Sequence, residues 1–100
     1  MQVQIESLHI EPGEELTDLI NRKIEHLGKR YDRIDHCDVI LRKDKNDIQK
    51  SYFVETKMEG PGTVLFASEN AETFEKAFGK VIDDLEHQLR RYKEELDERR

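Results

Sequence analysis

Apolar and polar residues alternate at the start of this chain. Val3 and Ile5 alternate with Gln2, Gln4 and Glu6, which predicts a strand over residues 2–10. Leu8 and Ile10 resume the apolar phase after a shift at Ser7, the mark of a β-bulge. Glu11-Pro12-Gly13 breaks the strand, and the period then lengthens. Leu16, Leu19, Ile20, Ile24, Leu27 and Tyr31 gather on one helical stripe, predicting an amphipathic helix over 14–31. Gly13 is the predicted N-cap. Glu14 and Glu15 occupy the first turn, where carboxylates favour the positive end of the helix dipole.

Period two returns in residues 36–43, where Cys37, Val39 and Leu41 alternate with Asp38, Ile40 and Arg42. The polar run Asp44-Lys45-Asn46-Asp47 reads as a turn. Residues 48–58 read as a strand with Tyr52, Val54, Thr56 and Met58 on one face and Phe53 on the other. Gly60-Pro61-Gly62 is a hairpin signal, and residues 63–68 form the last strand. From Asn70 onward Phe74, Ala77, Phe78, Val81, Ile82, Leu85, Leu89, Tyr92 and Leu96 mark a long helix over about 70–96. Glu69 or Asn70 is expected at its start, and Arg99-Arg100 complement its C-terminal dipole. Gly79 lies inside this helix at a cost of about 1 kcal/mol against alanine, which close packing on the sheet would explain.

The order is strand, helix, three strands, helix. A helix between the first two strands predicts a parallel pair with a right-handed crossover, followed by a meander. Each helix has one apolar stripe, so both are expected on the same sheet face. The predicted class is α+β: a β-α-β-β-β-α two-layer sandwich with a four-stranded sheet, like a double-stranded-RNA-binding domain with an extra first strand.

Composition narrows the class. One hundred residues suit one domain, with 35% hydrophobic and 40% charged residues around a thin core. No apolar run nears the roughly 18–20 residues that cross a bilayer, and the N-terminus lacks the pattern of a signal peptide. A single cysteine cannot form an internal disulfide. The cytoplasm is the expected compartment, with no membrane partner. The net charge of −6 argues against nucleic acid unless the basic residues are segregated.

Catalytic constellations are scarce. His9, His26, His36 and His87 show no metal-ligand spacing, so no metal or cofactor is expected. Cys37 alternates in phase with Val39 and Leu41, as a buried structural thiol would. Asp83-Asp84 and Glu94-Glu95 are adjacent helical pairs whose members splay apart, as on a solvated surface. Gly60-Pro61-Gly62 lacks the strand-loop-helix setting of a phosphate cradle. An enzyme is not expected.

Charge placement says more. Arg22, His26, Lys29 and Arg33 form one stripe opposite the apolar stripe of the first helix. Lys76, Lys80, His87 and Arg91 do the same on the last, flanked by Arg90 and Lys93. Two such stripes suit a phosphate backbone. A solvent-facing helix is ordinarily charged as well, and these stripes are diluted. Five basic residues meet five acidic ones in 13–33, and seven meet nine in 70–100. Intrahelical pairs such as Glu72–Lys76 and Glu86–Arg90 are a further reading of the same residues.

The segment Leu16 to Leu41 resembles the hibernation promoting factors, also called ribosome-associated inhibitor A or sigma-54 modulation proteins. Its centre is Lys23-Ile24-Glu25-His26-Leu27-Gly28-Lys29-Arg30-Tyr31-Asp32-Arg33-Ile34. A second match is Ala67-Ser68 before the last helix, then Leu85-Glu86-His87-Gln88-Leu89-Arg90-Arg91-Tyr92-Lys93. The resemblance covers essentially the whole chain and implies a non-enzymatic binder of the small ribosomal subunit near the decoding centre. Such a protein occludes the mRNA and tRNA sites of idle ribosomes. Carried over by position, the rRNA-binding candidates are Arg22, Lys23, Lys29, Arg30 and Arg33, then Lys80, His87, Arg90, Arg91 and Lys93. Lys76 joins them from the stripe.

The chain resembles the short form, a single domain over 1–100 without a C-terminal dimerisation domain. DNA is not an expected partner, and a weak homodimer through the open sheet face is. Departures are Asp84 where the family has a lysine, Gly79 where it has an acidic residue, and Gly13 in place of a Ser or Thr cap. They keep an alternative open: a protein-interaction module of the same fold that has lost rRNA. Phe53 and Ile40 would then form its exposed surface.

Overall fold

Each strand has one apolar face, and these faces fold into one layer. A computed structural model of the chain describes residues 1–44 and 51–98. Its elements are β1 (Gln2–Leu8), α1 (Glu14–Arg30), β2 (His36–Lys43), β3 (Tyr52–Gly60), β4 (Thr63–Ala71) and α2 (Phe74–Glu98). The sheet order is β1-β2-β3-β4, with β1 parallel to β2 and the other neighbours antiparallel. This is the expected α+β sandwich. Cys37, Val39 and Leu41 of β2 point inward with Val54, Thr56 and Met58 of β3 and Leu65, Ala67 and Ala71 of β4. Ile20, Ile24 and Leu27 of α1 and Phe78, Val81, Leu85 and Leu89 of α2 close over them. Each Val, Leu, Ile, Phe or Met side chain among them contributes about 1.5–3 kcal/mol on burial.

The ends of the elements differ from the periodicity. No bulge forms at Ser7, and β1 pairs with β2 without interruption from Gln2 to Leu8. His9 instead takes a left-handed φ of 63°, which ends the strand and returns Ile10 to the core. The apolar phase shift in the sequence records this turn. Leu8 therefore lies on the open face, in register with Arg42 and, beyond it, Phe53.

α1 starts after Gly13, as expected, and the Thr17 hydroxyl donates to the Gly13 carbonyl. The helix ends at Arg30, with Tyr31 as C-cap. β3 begins at Tyr52 and runs to Gly60, and the Asp44 amide donates to the Ser51 carbonyl beside it. The predicted turn at 44–47 and the first residues of the predicted third strand lie largely outside the described residues, as do Arg99 and Arg100. Pro61 followed by Gly62 at φ 71° is the residue pattern of a type II turn. Gly60 has no room for a side chain, since a Cβ there would lie 2.7 Å from the Arg33 carbonyl oxygen.

β4 continues past Ser68 to Ala71, because Tyr52, Phe53 and Val54 pair with Ala71, Asn70 and Glu69. Ladder pairing thus overrides the expected helix start at Glu69 or Asn70. The N-cap is Thr73, whose Oγ1 accepts the Lys76 amide at 3.1 Å.

Gly79 does not pack closely on the sheet. It is exposed, and a Cβ added there would meet nothing within 4 Å. Gly79→Ala is therefore expected to raise stability by about 1 kcal/mol in chemical denaturation. Thr56 is fully buried, and its hydroxyl has no hydrogen-bond partner among the described residues. Thr56→Val should stabilise by about 1 kcal/mol, because a methyl group replaces an unsatisfied polar atom. Urea midpoints of both variants check these values.

Candidate nucleic-acid interface

The common burial of α1 and α2 turns their polar sides outward as one layer. Arg22, Lys23 and Lys29 are exposed on α1, and Lys76, Lys80, His87, Arg90, Arg91 and Lys93 are exposed on α2. Arg33 is exposed too, but it lies in the turn after α1 rather than on the helix. Gly60 lets the sheet approach the backbone of that turn. The Asp35 amide donates to the Glu59 carbonyl at 2.8 Å, and the Gln2 amide donates to the Asp35 carbonyl at 2.9 Å. The sheet thereby fixes the loop that carries Arg33.

Two candidates are held by carboxylates. Arg30 spans the helices and donates from Nη1 to Glu86 at 2.7 Å, with its guanidinium 5.5 Å from the Tyr31 ring centroid. Glu86 thus bonds across to α1 instead of pairing with Arg90 four residues on. Lys76 bonds Glu72 at 2.7 Å, the expected i, i+4 pair. Among the described residues the other basic candidates form no ion pair.

The basic residues do not form two uninterrupted ridges. Arg22 shares its surroundings with Glu15, Asp18 and Glu25. His87, Arg90 and Arg91 line one shallow depression together with Asp84 and Glu94. Cations from both helical regions meet at one end, where Arg30 and Arg33 line the same cleft as Lys93. Simple periodicity does not reveal this convergence, because Arg33 is off the helix.

Asp84 has a definite task. It accepts at 3.2 Å from Nε2 of Gln88, which also donates to the Phe66 carbonyl at 2.8 Å. The Phe66 amide donates back to Gln88 Oε1 at 3.3 Å. One side-chain amide thus satisfies both backbone groups of a residue on the edge strand β4, which blunts that edge against further strand pairing. Sequence reading missed this role, since Gln88 carries no periodic signal. Arg30 did leave one: it follows Leu27 by three residues and so borders the apolar stripe.

The opposite sheet face also differs in detail from expectation. Phe53 and Ile40 are half-buried, and the Arg42 guanidinium lies 4.3 Å from the Phe53 ring centroid. The exposed apolar side chains there are Val64 at 59% and Phe66 at 49%.

No group of three or more metal-ligating side chains occurs among the described residues, and no described helix is long and apolar enough to cross a membrane. The Cys37 thiol is buried. Burial first, and the neighbouring Asp38 charge second, push its pKa up to about 12. Cys37 should therefore resist iodoacetamide at pH 8 in the native state and react on unfolding in urea, as mass spectrometry would read.

Comparison with known proteins agrees with this geometry. The family model described as sigma 54 modulation protein / S30EA ribosomal protein matches residues 3–97. A ribosome hibernation promoting factor of Pseudomonas putida is 30% identical over 94 residues, covering 94% of this chain and 88% of that protein. A ribosomal subunit interface protein from Coxiella burnetii shares the fold with a TM-score of 0.83 at 22% identity, over 93% of this chain and 98% of that one. The N-terminal domain of Protein Y from Thermus thermophilus does so at 0.78 and 21%, over 92% and 99%. With the match spanning almost its full length, this chain belongs to the sigma 54 modulation protein / S30EA ribosomal protein family.

Proposed function

We propose that this chain is a ribosome hibernation factor. It acts by stoichiometric binding to the small ribosomal subunit near the decoding centre, where it occludes the mRNA and tRNA sites. No bond is made or broken. The observation that carries this reading is the set of exposed cations on the helix layer that have no ion-pair partner among the described residues: Arg22, Lys23 and Lys29 on α1, and Lys80, Arg90, Arg91 and Lys93 on α2. Family membership and the name of the Pseudomonas relative support the same conclusion. These side chains would sit on phosphates as positioning contacts, so RNA shape rather than base order is read. Arg33 and His87 would extend the contact at its edges. Arg30 and Lys76 would contribute less, because each is held by a carboxylate.

A second reading has its own observation. Val64 and Phe66 are exposed on the open sheet face, as an interaction module of the same fold would require. A weak homodimer would use that face.

Co-sedimentation with vacant ribosomes separates the two. Binding should be complete at about 50 mM salt and fall by roughly a thousandfold by about 200 mM, given six or more phosphate contacts. The double variant Arg22→Glu, Arg91→Glu should abolish it while leaving the circular dichroism spectrum unchanged. Absence of binding at low salt, or full binding by the double variant, would reject the rRNA reading and favour the sheet face as the partner surface.

A further inference from the structure

The cleft at the end of the helix layer has a composition that phosphate contacts alone do not explain. The Tyr92 hydroxyl donates to the Pro61 carbonyl at 3.1 Å, which ties α2 to the hairpin between β3 and β4. Beyond that tie α2 continues to Glu98. Between this distal part and the turn after α1 lies a cleft of about 200 Å³.

Its lining is mixed, with aromatic and aliphatic side chains beside charged ones. Of the aromatic and aliphatic lining residues, Tyr31 is buried, while Tyr92 and Leu96 are half-buried. Arg33 and Lys93 are exposed cations of the lining, and Arg30 is a third, held by Glu86. Asp32 and Asp97 add two carboxylates to the same lining.

Each component excludes a simpler ligand. A bare anion would use the cations but leave the aromatic and aliphatic side chains unused, and two carboxylates oppose it. A basic peptide is repelled by Arg33 and Lys93. An uncharged apolar group leaves the charges unused. A nucleotide has a flat π-face, hydrogen-bond donors at its base edge and an anionic phosphate, so it uses all three.

We infer that the cleft between the turn after α1 and the distal part of α2 takes one unpaired nucleotide of RNA. Its base stands against Tyr92 and Leu96, and its phosphate lies on Arg33 and Lys93. Asp32 or Asp97 accepts from an amino or imino group of the base. This assignment rests on the ribosome-binding reading and deepens it: the helix layer tracks backbone, and this cleft holds a splayed base.

The full chain, labelled with ¹⁵N, is titrated with each of the four ribonucleoside monophosphates and with ribose 5-phosphate as a control lacking the base. One nucleotide alone binds weakly, so the range extends to about 10 mM. Nucleotides should shift the amides of residues 30–33 and 92–97, whereas ribose 5-phosphate, which offers only the phosphate that Arg33 and Lys93 would hold, should leave the Leu96 amide unmoved. Leu96→Trp, which fills the cleft, should remove those shifts and weaken ribosome binding about tenfold. Arg33→Ala with Lys93→Ala, both at exposed positions, should weaken both readouts without altering the fold.

Unmoved amides in wild type, or equal shifts with ribose 5-phosphate, would overturn the inference. So would wild-type ribosome affinity in Leu96→Trp. Failure of wild type to co-sediment would reject the ribosome reading itself, and the nucleotide titration reports on the cleft separately.

Discussion

Ile20 and Ile24 of α1 and Phe78 and Leu85 of α2 are buried against Val39, Leu41, Val54 and Met58 on a single face of the sheet. Each helix has one apolar stripe, so each can cover only one surface. The sheet therefore has a closed face and an open face, and the helices share one outward side. Every exposed cation of the candidate interface depends on this arrangement. Had the helices packed on opposite faces, Arg30 and Glu86 could not meet, and no cleft would join Arg33 to Lys93.

The one-sided core also places part of the acidic charge away from the exposed cations of the helices. Glu6, Asp38, Glu55 and Glu59 lie on the open sheet face, by alternation with the inward residues of β1, β2 and β3. Charges separated by the thickness of the domain lie beyond roughly one Debye length of about 8 Å, so their mutual effect is strongly screened. The helix layer itself carries basic and acidic residues in similar numbers, so its exposed cations act locally rather than as a uniformly basic surface. Acidic residues within that layer have local tasks. Glu86 holds Arg30 across the helices, Glu72 holds Lys76, and Asp84 supports the Gln88 amide that caps the edge of β4. The hydrogen bond that Asp84 accepts from Gln88 directs it toward that edge.

Much of this was legible beforehand. Period two in Cys37, Val39 and Leu41 located β2, with both ends as expected. The stripe from Leu16 to Tyr31 located α1, and Gly13 marked its start. Errors fell where a partner strand or a turn overrode local pattern. Asn70 reads as a helix start, yet it pairs with Phe53 in the sheet, and the helix waits for Thr73. Leu8 and Ile10 read as a bulged strand, yet a left-handed His9 turns the chain instead. Gly79 reads as a packing glycine, yet it is exposed. In the interface, residue type and helical angle identified the exposed cations but not their partners.

Periodicity is a local property, and the sequence by itself determined what is local: the number and type of elements, the apolar side of each, and the cations opposite those sides. The family motifs were legible in the same way. Which cations are bonded, which meet, and where a cleft opens depend on residues distant in the chain. Arg30 and Glu86 are 56 residues apart, and Tyr92 and Pro61 are 31 apart. Only the packing of two helices on one sheet brings such pairs within hydrogen-bond reach, because position in space follows from the shared core rather than from spacing along the chain.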